Sequence, residues 1–107
     1  MEETEFNRIA EATFEAMMGS LEPLDDSGAL EVEFNHNILS ITLHSGQQFI
    51  LNKHTPTRQL WLSSPRSGGL HFSFDPATQT WIVPDGRILG EVLSSELDAI
   101  AAIKVQC

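Results

Sequence analysis

The chain has 107 residues, 41% of them hydrophobic, which is material for one modest core and too little for two, so residues 1–107 are expected to form a single domain. No apolar run approaches the roughly 18 residues that span a bilayer, Met1-Glu2-Glu3-Thr4-Glu5 has no signal-peptide character, and the only cysteine is Cys107; a soluble chain without membrane partner, internal disulfide or cysteine-built zinc site follows, in a reducing compartment. The formal net charge of −9 lies entirely in residues 1–33, where ten carboxylates face Arg8 alone, an arrangement that repels nucleic acid and suits cations or a basic protein surface.

Residues 3–22 place Phe6, Ile9, Ala10, Phe14, Met17 and Leu21 at spacings of three and four, which predicts an amphipathic helix stopped by Pro23. An acidic loop, Asp25-Asp26-Ser27-Gly28, is expected next. From Leu30 the period becomes two: Leu30, Val32 and Phe34 alternate with Glu31 and Glu33, a half-buried strand with a carboxylate row on its polar face. Asn35-His36-Asn37 reads as a hairpin turn leading to Leu39, Ile41 and Leu43, since asparagine tolerates left-handed geometry.

Ser45-Gly46 turns the chain into Phe49-Ile50-Leu51-Asn52, Pro56 breaks it before Gln59-Leu60-Trp61-Leu62-Ser63, and Pro65 with Gly68-Gly69 marks the loop that follows. Leu70–Phe74 and a short run at Trp81-Ile82-Val83 complete the strands. After Asp85-Gly86, helical spacing returns at Leu89, Val92, Leu93, Leu97, Ile100 and Ile103, with Gly90 fraying the first turn. The fold class is therefore α+β: a two-layer sandwich with the N- and C-terminal helices on one face of a five- or six-stranded antiparallel sheet, the other face open to water.

Glu11, Glu15 and Glu22 fall on one edge of the first helix, and Glu31 and Glu33 lie on the polar face of the first strand. With Asp25 and Asp26 between them they are expected to form one carboxylate ridge. Only Arg8 offsets these like charges, whose mutual repulsion is a cost that binding something positive would offset. Oxygen donors of this kind suit hard or borderline cations, held weakly and with water retained. The other reading is a solvated acidic face that keeps the chain in solution.

His36, His44, His54 and His71 share no metal-binding helical spacing and read individually as surface residues. The alternation that buries Leu60, Leu62, Phe72 and Phe74 sends Gln59, Trp61 and His71 to the open face, where a tryptophan is an interface anchor unless a loop covers it. Trp81 reads as core or rim packing. No phosphate-cradling glycine loop or nucleophile elbow occurs. Cys107 is expected on a mobile terminus, and with little tail to seal the gap between the helices, stability is expected to be modest.

Asn52-Lys53-His54-Thr55-Pro56-Thr57-Arg58-Gln59-Leu60-Trp61-Leu62-Ser63-Ser64-Pro65-Arg66-Ser67-Gly68 resembles the signature segment of the frataxins. Weaker similarity covers Glu5–Glu11, Ile38–Ile41, Trp81, Asp85-Gly86 and Ser95-Glu96-Leu97. The resemblance implies a small acidic protein of iron–sulfur cluster assembly that binds ferrous or ferric iron weakly and docks, as a monomer, on a cysteine desulfurase and an iron–sulfur scaffold protein to modulate sulfur transfer. It would carry iron on Glu11, Glu15, Glu22, Asp25, Asp26, Glu31 and Glu33, and a partner on Asn52, Gln59, Trp61 and His71. It also implies an alternative, a ferroxidase that stores iron by metal-driven oligomerisation. Met18, Gly19, Pro23, Ser27 and Ala29 stand where many bacterial relatives carry carboxylates, which argues against high iron capacity. The compartment implied is the cytoplasm for a bacterial chain and the mitochondrial matrix for a processed eukaryotic one.

Overall fold

The computed structural model describes residues 1–107. Helix α1 spans Glu3–Asp26 and buries Phe6, Ala10, Phe14, Met17 and Leu21 along one stripe. Pro23 does not stop it. A proline this close to the C-terminus removes a single N–H from the ladder, and the turn beyond it closes with its own bonds. Ser27 N–H donates to Pro23 O (3.1 Å), Gly28 N–H to Asp25 O and Ala29 N–H to Leu24 O (both 2.9 Å). The last two are the paired bonds of a Schellman cap, with Gly28 at φ 82° supplying the left-handed residue. Asp25 and Asp26, expected in a loop, are therefore helical.

Six antiparallel strands follow: β1 (Glu31–Asn35), β2 (Ile38–Thr42), β3 (Gln48–His54), β4 (Gln59–Ser64), β5 (Gly68–Asp75) and β6 (Thr80–Ile82), paired in sequence order. Asn35 pairs directly with Ile38, leaving a two-residue turn in which His36, rather than an asparagine, takes positive φ (58°). Gly68 and Gly69, expected in a loop, pair with Ser64 and Ser63 and open β5. Between β3 and β4, Thr55–Thr57 form a 3-10 turn that ends on left-handed Arg58.

Helix α2 (Leu89–Ala101) closes the regular structure and buries Leu89, Val92, Leu93, Leu97 and the carboxylate-bearing Glu96. Both helices and one face of the sheet share a single core of 22 buried residues. Trp81 lies within it, 4% exposed, edge-on to Phe6 and Phe74, its indole N–H donating to the Thr13 hydroxyl at 2.9 Å. Phe34 departs from the expected buried alternation: it is 42% exposed at the end of β1, held by its ring contact with Phe14.

The C-terminus is docked rather than mobile. Ala102 turns left-handed, Ile103 is buried and Val105 packs on the core, and the tail returns to the start of α2, where Cys107 N–H lies 3.4 Å from the Ser94 hydroxyl. Gly90 is the residue that lets it dock, because a Cβ there would run into the Cys107 carbonyl oxygen. The first turn of α2 is formed, with Val92 N–H donating to Ile88 O at 2.9 Å. Between α1, β6 and α2 an open cleft of about 720 Å³ remains, lined by Ile9, Met17, Trp81, Leu89 and Cys107.

Candidate functional site

The seven ridge carboxylates come from two adjoining elements. Glu11, Glu15, Glu22, Asp25 and Asp26 lie on α1, and Glu31 and Glu33 on β1, which packs against it. All are exposed except half-buried Asp25, whose Oδ2 accepts a hydrogen bond from Val32 N–H at 2.9 Å. That bond fastens the helix end to the first strand and takes up one of the two Asp25 oxygens. None of the seven is in an ion pair: Arg8 is nearest Glu5 and Arg58 nearest Glu3, while the remaining pairs are Arg87–Asp85 and Lys104–Asp98. No three histidine, cysteine, aspartate or glutamate side chains converge as a ligand set. Dispersed oxygen donors of this kind suit a hydrated cation touched by one or two carboxylates rather than a closed site.

The open sheet face is built by register. Asn52 pairs with Trp61 and Trp61 with His71, so these residues form a row across β3, β4 and β5. Gln59 lies in the next row, between His54 and Ser73. Trp61 is covered on both faces of its ring: His54 stacks at 3.6 Å between centroids with planes 9° apart, and His71 at 4.1 Å and 7°. The indole N–H donates to Gln59 Oε1 at 2.9 Å, Gln59 Nε2 donates to the Ser73 hydroxyl at 3.1 Å, and His54 Nδ1 is 2.7 Å from the Thr57 hydroxyl.

Trp61 is thus not a free anchor, and its cover is not a loop but two imidazoles. His54 was missed as a member of this group. The signal was the period of two, which places it on the same face as Asn52 and one row from Trp61. Beside His71 a shallow depression of about 640 Å³ runs to Pro84, Asp85 and Arg87. The Arg87 backbone N–H and guanidinium bond the Asp85 carboxyl and hold it below the usual carboxylate range.

Much of the remaining signature segment is structural. The buried Ser64 hydroxyl donates to Glu96 Oε1 and accepts from the N–H groups of Arg66 (3.0 Å) and Ser67 (3.1 Å), tying the β4–β5 turn to α2. Lys53 points to the helix side and donates to Asn7 Oδ1 at 2.9 Å.

The α1–meander–α2 sandwich is the fold of solved frataxins. The family model for the frataxin-like domain matches residues 1–103, and the chain belongs to the frataxin family. It is 35% identical over 108 residues to an iron–sulfur cluster assembly protein CyaY of Neisseria meningitidis, covering 99% of this chain and 95% of that one. It is 34% identical over 99 residues to a mitochondrial frataxin of Dictyostelium discoideum, covering 89% of this chain and 51% of that protein. A mitochondrial frataxin of Arabidopsis thaliana is 29% identical over 110 residues and 59% covered, so the chain spans between half and three-fifths of the length of these two relatives. Among solved structures, a frataxin from Psychromonas ingrahamii superposes with a TM-score of 0.86 over 99% of this chain and 97% of that one at 21% identity. A trimeric yeast frataxin complexed with ferrous iron gives 0.77 over 89% and 87% at 24% identity. The relatives are both bacterial and mitochondrial.

Proposed function

We propose that this chain serves iron–sulfur cluster assembly: its acidic ridge receives iron as cargo, and the open sheet face docks on the scaffold protein while the ridge meets a basic surface of the cysteine desulfurase, modulating sulfur transfer. The observation that carries this reading is the pairing of seven carboxylates free of ion pairs on α1 and β1 with an ordered aromatic row on the sheet. The similarity to proteins named for cluster assembly supports it.

Glu11, Glu15, Glu22, Asp26, Glu31 and Glu33 would bind iron with most of its water retained, and Asp25 through its remaining oxygen. Weak binding fits cargo that has to leave again. Asn52 and Gln59 would supply side-chain amides at the docking face, with Trp61 and His71 its aromatic centre. Residues 1–107 would act as one domain and as a monomer in this role, in the cytoplasm of a bacterial source or the matrix of a mitochondrial one.

The test is anaerobic sulfide production by the cognate desulfurase and scaffold, with and without this protein and Fe(II). A change that requires the protein supports the reading, and its sign separates activator from brake. No change under either iron condition overturns it. Oxygen consumption per Fe(II), with Glu11→Gln and Glu15→Gln compared with the parent, distinguishes a ferroxidase.

A further inference from the structure

The acid excess of the chain conceals an opposite pole. Residues 34–74 contain no aspartate or glutamate, yet they hold Lys53, Arg58, Arg66 and all four histidines. Lys53 is turned to the helix side against Asn7, and Arg58 lies towards Glu3 of α1. His36, His44 and Arg66 stand in the turns between strands, so the ionisable groups left at the centre of the open face are His54 and His71, one on each side of Trp61.

The charged groups around the stack are all accounted for elsewhere. On β4 its neighbours are Trp61 and Gln59, and on β5 Ser73, all uncharged. Asp75, at the end of β5, is turned into its own loop by the Ala77 N–H and the Thr78 hydroxyl. Asp85 and Arg87, beyond β6, are closed on each other. Glu31 and Glu33 share this face but stand on β1, three strands from Trp61, about 14 Å at the usual strand spacing and beyond the screening length of about 8 Å at physiological salt.

From this geometry we infer that His54, Trp61 and His71 act as one recognition element for a partner protein surface that presents carboxylates, and that each imidazole takes up a proton as that surface docks. The inference rests on the docking reading above and specifies its charge. A neutral imidazole stacked on indole can accept a proton without moving, because the resulting cation sits over the ring face where the quadrupole attracts it. Two such cations, three strands from the Glu31 and Glu33 carboxylates and beyond their screened reach, select an anionic partner and reject a basic one. Trp61 is the positioning residue: it holds both rings on edge, while its own N–H is spent on Gln59.

Two measurements test this with the whole chain. Indole emission is followed from pH 8 to pH 5 in the parent and in the His54→Gln/His71→Gln double variant, with Trp81 as constant background; an imidazolium in contact with an excited indole quenches it. A fall in emission on acidification that the double variant lacks shows that the stack titrates, and superimposable curves overturn the inference.

Affinity for the desulfurase–scaffold complex is then compared at pH 6.0 and 8.0. The parent should gain about fivefold at the lower pH relative to the double variant; this difference cancels any titration of the partner itself. Equal pH ratios in the two proteins, or a relative loss at pH 6.0, overturn the inference while leaving docking intact. Absence of docking at both pH values overturns the docking reading and this inference with it.

Discussion

The Ser64 hydroxyl bonds three groups at once: it donates to Glu96 and accepts from two backbone N–H groups of the turn that follows. Because Ser64 and Glu96 are each 7% exposed, no water readily replaces the lost partner in Ser64→Ala. That variant should lose about 1–3 kcal/mol in urea unfolding. Gly90 makes the opposite kind of test. A Gly→Ala change in a helix ordinarily gains about 1 kcal/mol, but here the new methyl meets the Cys107 carbonyl. Gly90→Ala should fail to stabilise and should release the tail. The Cys107 thiol, which burial pushes up from its ordinary value, should then react faster with a disulfide reagent at fixed pH, and an unchanged rate would show that the tail does not depend on Gly90. Neither role was legible in the sequence. Ser64 and Glu96 are 32 residues apart, and spacing says nothing about which hydroxyl a buried carboxylate will find.

At the level of elements, β1, β2, β4 and β5 were legible from a period of two and β3 and β6 as short apolar runs between turn residues, and the core face follows from the alternation except at Phe34. The end of α1 was not. Pro23 is a boundary signal only on average, and here Leu21 and Leu24, packed on the core, keep the chain helical until Gly28 can cap it. The acidic ridge was read as a set: Glu11, Glu15 and Glu22 lie on the helix and Glu31 and Glu33 on the strand expected, whereas Asp25 and Asp26, expected in the loop between, end the helix, and nothing in the spacing shows that Asp25 also clips the strand. The open face was read for Trp61 but not for its two covers, since a stack depends on rotamers as well as alternation. Trp61→Ala removes the surface that both imidazoles share while leaving the helix-side core untouched. It should keep the parent's far-ultraviolet spectrum yet weaken docking by about 2 kcal/mol, roughly 30-fold, abolishing the effect on sulfide production; unaltered activity would remove Trp61 from the interface.

On the scale of the whole molecule, the 720 Å³ cleft between the helices means that α1 and α2 meet the sheet more fully than they meet each other. A melting temperature below about 75 °C is expected for a domain of this size and packing. Calorimetry decides it, and a value above that limit would show that the docked tail compensates for the cleft.

The sheet has two borders, the unpaired β1 and the three-residue β6, whose outer edge is already met by the Ile82–Ile88 bridge. A short strand offers little template for another chain, whereas β1 is five residues long and its backbone could pair with a neighbouring molecule. Glu31 and Glu33 stand along that border and repel any second copy that approaches it. The same two carboxylates would therefore serve twice, as cation ligands and as a guard against self-association. A metal ion that neutralises them lowers the barrier to edge-to-edge assembly, so cation loading and the onset of oligomers should share one concentration range.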